Sequence, residues 1–83
     1  MRAHQALSDV VKPQLEESFG AGLTARILFS ARDVSAAPVV GLNRTHYSAL
    51  VDAIAKDQRV TQMWGDFGTK TRLKSWHEAC TED

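Results

Sequence analysis

Apolar residues recur at every fourth position at the start of the chain: Ala3, Leu7, Val11, Leu15 and Phe19, with Val10 beside them. Gln5, Asp9, Lys12, Glu16 and Glu17 fall mainly on the other side. The pattern predicts one amphipathic helix over residues 3 to 19. Pro13 lies inside it, where a missing N–H and a ring clash cost a helix about 3 kcal/mol. Because the stripe keeps its phase through the proline, a kink is expected there rather than a break. Gly20, the first residue of the Gly20-Ala21-Gly22 run, suits a left-handed cap and should end the helix.

The next apolar segment supports two periods. As a strand, Leu23, Ala25, Ile27, Phe29 and Ala31 share one face, and Thr24, Arg26, Ser30 and Arg32 the other, with only Leu28 out of step. As a helix, Leu23, Ile27, Leu28, Ala31 and Val34 share a side and Thr24 is the N-cap. The glycines before it, with Thr24, Ile27 and Phe29, favour the strand. Pro38-Val39-Val40-Gly41-Leu42 then reads as a second, edge strand. Residues 33–37 become the connecting loop of a hairpin over about 23–42.

Helical signals return at Asn43, a good N-cap before Tyr47, Leu50, Val51 and Ile54, in a helix ending near Lys56. Asp57 is placed to cap a shorter helix carrying Val60, Met63 and Trp64, closed by Gly65. Gly65-Asp66-Phe67-Gly68 reads as a turn. Thr69 then caps a last helix with Leu73, Trp76, His77 and Cys80 along one stripe, and the closing Thr81-Glu82-Asp83 should fray. The expected architecture is an α+β, helix-dominated single domain over 1–83: a long N-terminal helix, a short β-hairpin and two to three C-terminal helices.

Residues 33–52 carry a second pattern. Ala37 is a small residue four positions before Gly41, Val40 and Leu42 flank that glycine, Asn43 caps a second helix, and Tyr47 and Leu50 point back to a core. This spacing resembles the helix-turn-helix of bacterial transcription regulators over about twenty residues. The resemblance implies an all-α fold and a second helix that reads DNA with its leading residues Arg44, Thr45, His46 and Ser48. Pro38 departs from the pattern, because it falls inside what must be the first helix of the pair.

Charge alters this picture little. Ten basic residues balance ten acidic ones over the 83-residue chain, so no overall basic excess argues for nucleic acid. Between Gly20 and Trp76, however, eight basic residues face four acidic ones, a local net charge of +4. A single cysteine, Cys80, excludes an internal disulfide and fits a reducing cytoplasm. No apolar run approaches the length of a membrane span, and the first residues lack a signal peptide's apolar stretch.

Candidate chemistry is sparse. His77 and Cys80 stand three apart on a helix, near enough to share a metal ion, but His4 and His46 are the only other histidines, so no metal site is expected. His46 and Ser48 point to different sides of their helix, which removes the local base–nucleophile pair. The sequence has no glycine-rich phosphate loop, paired catalytic carboxylates or nucleophile elbow. Neither catalysis nor a cofactor is expected. Aromatic and basic residues interleave instead in the C-terminal half: Trp64, Phe67, Lys70, Arg72 and Lys74. Such a cluster suits a protein interface or single-stranded nucleic acid. The sequence therefore predicts a non-catalytic binding or adaptor module that self-associates or binds another protein through these residues. The other reading is a DNA-binding regulator using Arg44–Ser48.

Overall fold

The computed structural model describes residues 1–38 and 40–82, and among them there is no strand. Helices run over Ala3–Ala6 (α1), a π-helical turn over Leu7–Val11, then Lys12–Ser35 (α2), Arg44–Lys56 (α3) and Gln58–Ala79 (α4). The chain is all-α, which corrects the α+β expectation.

The first stretch forms as its stripe predicts, with an added device. A strict four-residue period drifts about 40° per repeat on a helix of 3.6 residues per turn. The π turn, wider by one residue, resets that drift. Ala3, Leu7, Val11 and Leu15 consequently all face the core. The same wide turn lies just before Pro13, in the second position of α2, and helical geometry continues past the proline. The break comes at Gly20, with φ +77° and ψ 167°, angles that an L-residue rarely adopts. It divides α2 into a first arm, 12–19, and a second arm, 21–35.

The second arm replaces the first strand of the expected hairpin. Thr24, Ile27, Leu28 and Ala31 form its buried side, a spacing of three and four. Leu28, the one residue that broke the alternation, is in the core, whereas Phe29 faces solvent. The helix ends at Ser35, capped by Ala36 in a left-handed conformation (φ 56°, ψ 30°) whose N–H reaches the Arg32 carbonyl. The expected second strand is not formed by its described residues; Val39 lies outside them. The tight helix-turn-helix over 33–52 is absent too. Residues 36–43, eight in number, separate α2 from α3, and Ala37, expected inside a helix, lies beyond its end. Pro38, which disfavours helical geometry in the residue before it, is the local reason.

α3 begins where the sequence places it. Asn43 Oδ1 accepts from the His46 N–H at 2.9 Å, and His46 Nδ1 accepts from the Asn43 N–H at 3.3 Å, a reciprocal capping box with histidine in the usual Glu position. Tyr47, Leu50, Val51 and Ile54 are buried, and α3 packs against both α2 and α4. Asp57 ends α3 and caps α4 through the Arg59 N–H. α4 breaks at Gly65 with angles close to those of Gly20 (φ 73°, ψ 172°). Residues 66–68, expected as a turn, already belong to the next helical arm, and Thr69 is a buried interior residue donating to the Gly65 carbonyl rather than an N-cap.

The two breaks meet. Phe19 and Trp64, each immediately before its glycine, pack against each other with tilted rings, centroids 5.7 Å apart. One core joins both ends of the chain, from Ala3 to Cys80.

Candidate binding surfaces

The aromatic and basic residues of the C-terminal half divide into an inner and an outer set. Trp76 is fully buried and Trp64 half-buried, edge to face at 5.9 Å. Both indole N–H groups donate to the first arm of α2: Trp64 to Ser18 Oγ at 2.8 Å, Trp76 to Gln14 Oε1 at 2.9 Å. Arg72 lies over the Trp64 ring at 4.2 Å and donates to the Gly68 carbonyl. Trp64 and Arg72 are thus engaged within the fold. Phe67, Lys70 and Lys74 remain outside on one face of the second arm of α4, and Phe67 is 85% exposed.

The leading residues of α3 divide likewise. Arg44 and Thr45 are exposed, but His46 is used in the capping box and Ser48 turns towards α4. Two of the four proposed DNA-reading side chains therefore have structural partners.

The structure brings together a group that the sequence did not: Ser48, Asp52 and His77. His77 Nε2 lies 2.8 Å from Asp52 Oδ1, and its Nδ1 lies 3.5 Å from Ser48 Oγ. In the neutral ring the bond to Asp52 places the hydrogen on Nε2 and leaves Nδ1 as an acceptor. The polarity is that of a serine–histidine–acid relay, yet 3.5 Å is beyond a good O–H···N bond. Ser48 also sits inside α3, where backbone N–H groups are consumed by the helix, so none converges on an oxyanion. The group's evident work is to tie α3 to α4. Ser48 and Asp52 lie four apart on α3, and His77, 25 residues beyond Asp52, had no sequence signal linking it to them.

Two neighbouring sites are electrostatically settled. Arg59 holds Asp57 in a two-pronged ion pair (2.7 and 3.0 Å), which with the cap bond keeps its carboxyl below the usual range. Arg59 also reaches Ser30 Oγ, fastening α4 to α2. Burial, with the Cys80 thiol adding to it, pushes the Tyr47 hydroxyl's pKa upward, so it stays a donor to the Trp76 carbonyl at 2.6 Å. The Cys80 thiol is buried and donates to the Glu82 carbonyl, while His77 is turned to Asp52. Among the described residues no group of three or more His, Cys, Asp or Glu is placed to hold a metal.

A groove of about 590 Å³ lies between the N-terminal helical stretch and the second arm of α2. One wall carries His4, Leu7, Ser8, Lys12 and Glu16. The other carries Ala21, Ala25, Leu28, Phe29 and Arg32, with Leu42 from the connection. Arg32 Nε is buried with no hydrogen-bond partner among the described residues.

These features define a small all-α domain with an exposed aromatic–basic helix face and an open groove. No protein family matches the chain, and neither a curated protein nor a solved structure is detectably similar to it. No helix among the described residues is long and apolar enough to cross a membrane.

Proposed function

We propose that this chain is a non-catalytic binding module that associates with a second copy of itself or with another protein through the outer face of α4. The observation that carries the reading is Phe67, 85% exposed beside Lys70 and Lys74 on one helical face. Large exposed aromatic rings are enriched among interface residues, and the two lysines suit the polar rim around such an anchor. The clamp beneath supports the same reading: Trp64, fixed by Ser18, Phe19 and Arg72, stiffens the arm that presents Phe67. A rigid anchor loses less freedom on binding. A reducing cytoplasm suits a chain whose one cysteine is buried as a free thiol.

Sedimentation over a concentration series tests the proposal. The wild type should associate as concentration rises, and Phe67→Ser should weaken association about thirtyfold, as loss of a central aromatic anchor does. Its helical circular dichroism should be unchanged. A wild type that stays monomeric throughout, with a Phe67→Ser variant that loses no partner captured from the native cell, would overturn it.

A further inference from the structure

We infer that the groove between the N-terminal helical stretch and the second arm of α2 is a binding site for a linear aliphatic carboxylate. It is separate from the face of Phe67. Its volume of about 590 Å³ falls within the range of small-ligand clefts. Its shape is elongated: the wall residues from His4 to Glu16 follow one helical stretch, about 18 Å at the usual rise per residue. Leu7, Leu28 and Leu42 give it apolar surface, and Phe29, 76% exposed, stands open beside them. An extended hydrocarbon chain matches that lining and length.

The charge selects the head group. Lys12 and Arg32 line the groove, and neither makes an ion pair or side-chain hydrogen bond among the described residues. Glu16 is the one acidic side chain in the lining, and with His4 neutral the net charge there is +1. Glu16 and Ala21 bracket the Gly20 break and so mark one end of the groove, whereas Arg32 lies far along the second arm from it. A monoanion with its head at Arg32 lies well away from Glu16, whereas Lys12, one helical turn from Glu16, adds positive charge along the facing wall. The Arg32 guanidinium carries five donors and meets no protein acceptor among the described residues; its Nε is buried, so a head group in the groove would meet its terminal nitrogens. A carboxylate offers a forked acceptor to the donors that face the groove.

The test is an amide NMR titration of the whole chain with decanoate, using decanol and decyltrimethylammonium as neutral and cationic controls. Saturable shifts are expected at Leu7, Leu28, Phe29, Arg32 and Leu42, with decanoate binding more tightly than either control. Arg32→Gln should weaken decanoate about tenfold and leave decanol unchanged. Lys12→Gln, at an exposed position, should weaken it in the same sense and serves if the first variant unfolds. The proposal is overturned if decanoate produces no saturable shift, if the three probes bind alike, or if a folded variant keeps wild-type affinity. It is equally overturned if dilution without any probe moves the same amides, because the groove would then hold a second copy of the chain. Phe67→Ser should bind decanoate normally, so failure of the interface proposal and failure of this one are distinguishable.

Discussion

α3 and the second arm of α2 pack against each other and treat their polar groups in opposite ways. α3 opens with a reciprocal capping box, buries one continuous apolar side and ends at Asp57, whose own side chain begins the next helix. The second arm starts at a positive-φ glycine and ends in a left-handed alanine. It leaves Thr24 Oγ1 and Arg32 Nε buried without partners among the described residues, and it turns Phe29 and Val34 to solvent. One helix has its local requirements met within the fold. The other carries exposed apolar groups and unsatisfied donors together, which are the features a ligand or partner can complete.

The contrast is broken most directly by truncating one apolar residue on each side. Leu50→Ala, in the fully buried face of α3, should cost about 2–5 kcal/mol in urea unfolding, whereas Phe29→Ser should change stability by no more than about 0.5 kcal/mol. Comparable losses would remove the distinction. The helix ends should respond with opposite signs. Asn43→Ala should lower stability by about 1 kcal/mol through loss of the capping box. Ala36→Gly should raise it by about 0.5–1 kcal/mol, because glycine adopts the left-handed cap without the strain that alanine carries, less its greater freedom when unfolded. A gain of similar size is expected at Thr24. Thr24→Val removes an unpartnered buried hydroxyl while nearly keeping the shape, and a thermal melt should show a gain of about 0.5–1 kcal/mol.

The same contrast explains what the sequence disclosed. α3 was legible because its cap, its periodicity and its burial agree: Asn43 precedes Tyr47, Leu50, Val51 and Ile54 at helical spacing. The N-terminal stripe was legible as a helix, but its four-residue period needed a π turn that no residue type announces. Residues 23–31 misled because over nine positions a period of two and a period of 3.6 share most of their apolar residues. Leu28 fitted only the helix, whereas Ala25 and Phe29 fitted only the strand. At the candidate surfaces, Phe67, Lys70 and Lys74 face out. Trp64 and Arg72 do not, because the Gly65 break and the turn of helix after it bring residues eight apart into contact. Of the groove's polar wall, Lys12 and Glu16 belonged to the polar side read from the sequence, whereas His4 and Ser8 did not. The opposite wall was hidden inside the segment read as a strand.

The tryptophan clamp has a kinetic consequence. Trp64 reaches back 46 residues to Ser18, and Trp76 reaches back 62 to Gln14. Contacts of such separation require a long loop to close before they return any stabilisation, which sets them late among the events of assembly. The individual helices can flicker in and out without either indole finding its acceptor. Intrinsic fluorescence in this protein therefore marks the moment at which the two ends of the chain join, and circular dichroism is left to follow the helices.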